Sequence, residues 1–308
     1  MKNLFISILS VSVLACTVLS SCTSGDTNNQ QNTQQPKDSS QKEEILDPNR
    51  GALVKVNNRL FNVPSPIQLA SVIKKIDLPY NQELLNRVDK RQNYTTSFKQ
   101  ALNIGIYGAN LGYINVFEQL PDAAAYFAAI RTLSQDLGIM NSFNEETMKR
   151  IERNNGNKDS LLYIASIMYR ESDSYLMNSD RNEVGALIIA GGWVEGLYLL
   201  THIAPAKDLN PEIIEMIGQQ KCPLNNLIDL LRPYYGKLTT EYDSFVEELS
   251  DLAAIFDDIQ IKYTFKPSVT EEDKKITYIN SETEAVIDVQ HIETISKKIE
   301  KLRNKITD

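Results

Sequence analysis

The chain reads as mainly α: a multi-helix antiparallel bundle or array with a small C-terminal β-hairpin or meander and a final helix. Three observations lead there. From Tyr94 onward, apolar residues recur at three- and four-residue spacing through one segment after another. Proline, glycine and N-capping residues separate those segments by about 2–8 residues, the connection length of antiparallel neighbours. Only after Asp258 does the period fall to two, the spacing of a strand.

The folded part is expected over residues 51–308 as a single domain. Ala52 to Val56 and Arg59 to Val63 read as short extended segments around Asn57-Asn58. In Pro64-Ser65-Pro66, Ser65 suits an N-cap and Pro66 the first helical position, opening a helix to about Ile76. Phe98, Leu102, Ile106, Ala109, Tyr113 and Phe117 make one stripe of a helix between Tyr94 and Glu118. Pro121 ends that helix and starts the next, Asp122 to Leu137, which Gly138 caps. Ser142-x-x-Glu145 is a capping box for a helix to about Asn154, and Asp159 caps another to about Met177. Asp180 to Ala204, Pro211 to Gln220, Pro223 to Tyr234 and Thr239 to Asp258 complete the helical run.

The β element is expected near residues 259–287. Ile259, Ile261, Tyr263 and Phe265 alternate with polar residues, Pro267 to Lys274 is a polar loop, and Ile276 to Ile279 and Ala285 to Ile287 read as two further strands. Asp288 then caps a last helix, Val289 to about Ile306, with Ile292, Ile295, Ile299, Leu302 and Ile306 on its apolar face.

The N-terminus carries an address. Lys2 precedes an apolar run from Leu4 to Leu19, shorter than the ~20 residues of a membrane span and of signal-peptide length. The run ends in Leu19-Ser20-Ser21-Cys22, which resembles the lipobox of bacterial lipoproteins. That resemblance implies cleavage of residues 1–21, a diacylglycerol on the Cys22 thiol, and a membrane partner reached through that lipid. Thr23, in place of an Asp, implies an outer-membrane address. Acyl chains anchor a protein without a transmembrane helix, at ~0.8 kcal/mol per buried methylene. Residues 22–50 form the tether. Thr23 to Lys42 has no apolar side chain to offset ordering entropy. As a coil the tether spans roughly 30 Å on average and at most ~90 Å.

Composition excludes several classes. Acids outnumber Lys and Arg 40 to 32, for a net charge of −8, so nucleic acid is not an expected partner. Three cysteines do not make a disulfide scaffold, and Cys222 is expected to be a small buried apolar residue. His202 and His291 are far apart, and no Cys/His spacing suggests zinc. With no phosphate loop, dinucleotide fingerprint or nucleophile elbow, no catalytic residue, metal or cofactor is assigned.

Val184 to Ala204 holds one acid, Glu195, in an otherwise apolar run. An acid at the bilayer centre costs roughly 2.5–3.5 kcal/mol, so the run is read as the central helix of the bundle. Gly192 and Gly196 share a face of it, as Gly108 and Gly112 do in the earlier helix, with Gly105 one turn before. The four i,i+4 glycines are expected to line one helix–helix contact, the two helices standing as related halves of a duplicated motif. Glu195 needs a buried partner. It is either one half of a structural pair with an Arg or Tyr, or the polar contact of a ligand pocket lined by Trp193, Tyr198, Tyr107 and Tyr113.

Pro64-Ser65-Pro66, Ala101 through Tyr113 and Trp193-Val194-Glu195-Gly196-Leu197-Tyr198 together resemble an uncharacterised family of helical lipoproteins from Bacteroides-type bacteria. The likeness covers most of the chain after about residue 60. It implies the helical fold and the envelope address, and no activity. It also implies an Asp where this chain has Asn110. The expected function is that of an outer-membrane-anchored periplasmic or surface lipoprotein, a non-catalytic interaction or scaffold protein with an envelope protein as partner. A small-molecule or glycan-binding lipoprotein is the alternative, with a hydrolase behind it.

Overall fold

In a computed structural model, the structure describes residues 78–139, 181–271, 276–278 and 280–308, with the backbone of 52–56 and 59–63. These all lie in one compact unit, Ser40–Asp308. The expected signal peptide, Cys22, the expected tether and the Asn57-Asn58 turn lie outside the described residues. So do the helices expected over 66–76, 145–154 and 159–177.

The architecture is mainly helical. The described helices are α1 (Ser97–Val116), α2 (Leu120–Asp136), α3 (Asn182–His202), α4 (Pro211–Gly218), α5 (Lys221–Leu231), α6 (Thr240–Asp257) and α7 (Val289–Thr307). Their ends follow local chemistry. Thr96, Asn210, Thr239 and Asp288 each accept a backbone N–H of the first turn, and Pro121 and Pro211 stand where no N–H is needed. Gly138 takes φ +74° just beyond α2. Pro223 does not open α5. That helix starts at Lys221, and the proline fits its first turn without losing a hydrogen bond. Two 3₁₀ turns that the periodicity does not announce, Gln82–Leu84 and Val88–Asn93, precede α1.

β1 (Ala52–Val56) and β2 (Arg59–Val63) form an antiparallel hairpin whose β2 runs beside α5. The C-terminal β element is of the expected hairpin kind, a long two-stranded ribbon. β3 (Gln260–Thr264) pairs with β6 (Glu282–Val286), and β4 (Val269–Glu271) pairs with β5 (Ile276–Tyr278) further out. β4 corrects the expected loop at 267–274: Val269 and Thr270 are β-branched, and they pair although both are exposed.

α1 and α3 are the centre of the core. α3 is the one described helix long and apolar enough to cross a membrane, and 89% of its apolar window is buried inside the protein. α7 runs antiparallel to α3, with Arg303 opposite Glu195 and Ser296 opposite His202. α1 and α3 touch at glycines as expected, and Gly192 is at the contact, its backbone N 2.6 Å from where a Cβ at Gly105 would lie, but Gly108 is not. A Cβ at Gly105 would lie 2.0 Å from the Ile188 carbonyl oxygen, and one at Gly191 would lie 1.9 Å from that of Leu102. A Cβ at Gly108 would meet nothing within 4 Å. The i,i+4 spacing marked a face, whereas the crossing point is a single close approach one turn earlier on α1. Cys222 is exposed rather than buried. It lies off the stripe of Leu224, Leu227, Ile228 and Leu231 that α5 turns inward.

Gly105→Ala should therefore destabilise the fold by ~1–3 kcal/mol or more, because its methyl has only backbone to displace. Gly108→Ala should be neutral or stabilising by up to ~1 kcal/mol through helix propensity. Chemical denaturation of both variants checks the contrast, and similar losses would contradict this packing.

Candidate functional site

Glu195 lies at the middle of α3 and is fully buried. α3 buries residues on every side, so the carboxylate cannot reach water and must be met by protein donors. Arg303, from the penultimate turn of α7, meets it with a two-pronged pair. Its Nε donates to Oε2 at 2.6 Å and its Nη2 to Oε1 at 2.9 Å. Asn110 of α1 donates its Nδ2 to Oε1 at 2.5 Å. The two oxygens thus accept three hydrogen bonds, two of them from a cation, the strongest class available to a carboxylate.

The network continues on both sides. Arg303 Nη2 also donates to the Leu84 carbonyl, and its guanidinium lies 4.1 Å from the centre of the Tyr198 ring. Asn110 Oδ1 accepts the Asn86 backbone N–H. Asn86 Nδ2 donates to Asn103 Oδ1 and to the Tyr94 hydroxyl. Asn103 Nδ2 donates to the Ile306 carbonyl, and the Tyr94 hydroxyl to that of Thr307. These two carbonyls belong to the last turn of α7, whose acceptors have no partner within the helix. Side chains about 200 residues away in sequence therefore cap the C-terminal helix. Among the described residues, the buried side-chain atoms without a partner, Asn115 Nδ2 and Ser134 Oγ, both lie outside this network.

Electrostatics follow the burial. Burial works against the Arg303 cation, but the Glu195 charge and its hydrogen bonds outweigh it, so the guanidinium holds its proton more tightly than usual. Burial also raises the Tyr94, Tyr107 and Tyr198 hydroxyls above their ordinary range. His202 stacks on Tyr198 at 4.1 Å, and its Nδ1 lies 2.9 Å from the Tyr198 carbonyl oxygen. Burial lowers its pKa below the usual histidine value.

The residues expected to line a pocket around Glu195 are not gathered there. Trp193 donates its Nε1 to Gln220 Oε1 on the side of α3 facing α4 and α5. Tyr107 donates to the Arg87 carbonyl. Tyr113 accepts the Asn81 N–H and packs against Tyr80 and Phe117. Tyr198 alone reaches the acid's surroundings, through Arg303. An open depression of about 660 Å³ on the outer side of α7 is lined by Lys297, Glu300, Lys301, Asn304, Lys305 and Asp308, and Glu195 does not line it. Among the described residues, no three His, Cys, Asp or Glu side chains are placed to hold a metal ion.

Arg303, Asn103, Asn86 and Tyr94 were not singled out by the sequence reading. Two signals were present. Arg303 lies four residues after Ile299 and three before Ile306, inside the apolar stripe of α7. Asn103 and Asn110 lie seven apart on one face of an otherwise apolar helix. Asn86 had no signal, because it sits in a 3₁₀ turn region without periodicity. At position 110 the amide is the fitting group, since a carboxylate there would have no hydrogen to give Glu195.

No protein-family model, curated protein or solved structure matches this chain. The site is therefore read from its geometry.

Removing one partner leaves a buried charge unmatched. Arg303→Met should cost about 3–5 kcal/mol, while Glu195→Leu combined with Arg303→Met should cost far less than the sum of the single changes. A double-mutant cycle in urea checks this, and additivity would contradict it. His202 gives a pH test. Its folded pKa is depressed, so the unfolded chain binds its proton first as pH falls. Stability is fully present above the unfolded pKa, about 6.5, and is lost below it down to the folded value. His202→Gln should flatten that part of the Tm-against-pH curve. An unchanged curve would assign the acid sensitivity elsewhere.

Proposed function

We propose that this chain is a lipid-anchored protein of the bacterial cell envelope, at the outer membrane, whose helical domain has a non-catalytic interaction or scaffolding role. The anchor rests on Leu19-Ser20-Ser21-Cys22 and the polar run that follows. The resemblance to helical lipoproteins of Bacteroides-type bacteria fits the same address. One observation carries the role: Glu195, the acid most suited to a ligand site, is occupied by Arg303 and Asn110. A carboxylate held by three donors has little hydrogen-bonding capacity left for a substrate.

Cys22→Ala should move the protein from the membrane to the soluble fraction, and intact-mass spectrometry of the wild type should show added acyl mass. A wild-type mass without acyl groups would refute the anchor. For the role, native purification from detergent-solubilised envelope should yield a stoichiometric protein companion. A small molecule released on denaturation, with no companion, would refute the scaffold reading in favour of ligand binding.

A further inference from the structure

The ribbon β3–β6 is fixed at its root and uncovered beyond it. At the root, Ala285 packs so closely on Gly218 of α4 that a Cβ at 218 would lie 2.3 Å from the Ala285 Cβ. The outward Ala285 N–H is met by both Glu215 carboxylate oxygens, each at 2.9 Å. Lys221, at the start of α5, donates Nζ to the carbonyls of Asp257 and Ile259, where the ribbon leaves α6. Ile261 and Ala285 are cross-strand partners on the face turned to the body. The same face continues outward as Tyr263, opposite Thr283, and then Phe265. Tyr263 is 63% exposed, Phe265 71% and Val269 54%, the highest values among the exposed large apolar residues. The opposite face carries Lys262, Thr264 and Glu284. The projecting ribbon is thus two-sided, aromatic on one side and charged on the other. A two-stranded ribbon is marginal alone in water, and an aromatic face left open on it is costly unless something covers it.

The chain's own connectivity says what lies near. The N-terminal segment joins the domain at β1, whose partner β2 runs beside α5. Lys221 of that same helix holds the ribbon's root. The segment's point of attachment and the ribbon therefore share one helix of about 16 Å. Twenty-nine residues separate Cys22 from Ala52. However they are arranged, they hold the domain within roughly 100 Å of a lipid on Cys22. Tethering of this kind keeps a surface element at high local concentration over the membrane. Tyr and Phe suit the headgroup boundary, where a ring buries its body and leaves polar groups wet. Lys262 and Glu284 are cross-strand partners of opposite sign, so aromatic insertion, not charge, is the attraction.

We propose that the Tyr263–Phe265 face of the ribbon seats on the surface of the bilayer that carries the Cys22 lipid. The domain then has two membrane contacts, and the ribbon fixes its orientation. This rests on the lipid anchor proposed above.

The test places an indole at Tyr263 or, on the opposite face, at Thr264. The full chain is acylated in a bacterial host and reconstituted into phosphatidylcholine vesicles brominated on the acyl chains. Trp193 is the sole native tryptophan and is buried, so it supplies a constant background. Tyr263→Trp should show a blue shift and loss of emission in brominated vesicles, and Thr264→Trp should not. Equal emission from Tyr263→Trp in brominated and plain vesicles would overturn the proposal. A blue shift without quenching would overturn it too, placing a protein surface over the ribbon. A chain lacking acyl mass would instead refute the anchor, and this inference with it.

Discussion

Glu195 is the one charged group between Val184 and Ala204, and the protein closes around it. An ionised carboxylate without water is among the most costly groups a core can hold. It is tolerated here because Arg303 and Asn110 arrive from two other helices with donors already aimed. Each donor is in turn held in place. Arg303 is shared with the Leu84 carbonyl and Tyr198, and Asn110 with the Asn86 backbone. The requirement that one acid be satisfied therefore fixes α1, α3, α7 and the 3₁₀ turns before α1 relative to one another. Apolar packing alone would allow α7 to slide or rotate by a turn at modest cost, whereas a two-pronged ion pair allows a single register. The close approach at Gly105 and Gly191 acts with it, bringing α1 near enough for the Asn110 side chain to reach across.

Much of the helical order was legible in the sequence because caps and periodicity are local. Asp288 caps the last helix as expected, Thr239 stands at the start of the helix expected from it, and Ile292, Ile295, Ile299, Leu302 and Ile306 are buried as one stripe. What local pattern could not carry was partnership. Nothing near Glu195 in the chain indicates an arginine 108 residues later. The glycine spacing gave the right two helices and Gly192 at their crossing, but not Gly191, and it wrongly included Gly108. The crossing point depends on how the axes meet rather than on which residues share a face. The ribbon was legible as strands through its period of two. Its pairing was not, since β3 skips its sequence neighbour and joins β6.

The same network bears on how the protein works. A domain whose polar core is spent on holding its helices together presents its chemistry at the surface, and the most exposed apolar surface is the ribbon. Its root is bonded through Glu215, Gly218 and Lys221, and Lys221 begins the helix beside which β2 runs. With the proposed lipid tether and the proposed seating of its aromatic ribbon, the domain would stand on the membrane in a defined pose, which is what the proposed scaffold role requires.

The central claim is that the Glu195 network binds α7 into the same cooperative unit as α1 and α3. Native-state hydrogen exchange tests it most directly. If the claim holds, amides in the middle of α7 exchange only through global unfolding, with the same protection and denaturant dependence as those of α1 and α3. If α7 exchanges through a local opening, orders of magnitude faster than the other two helices, the network does not join them and the account is wrong.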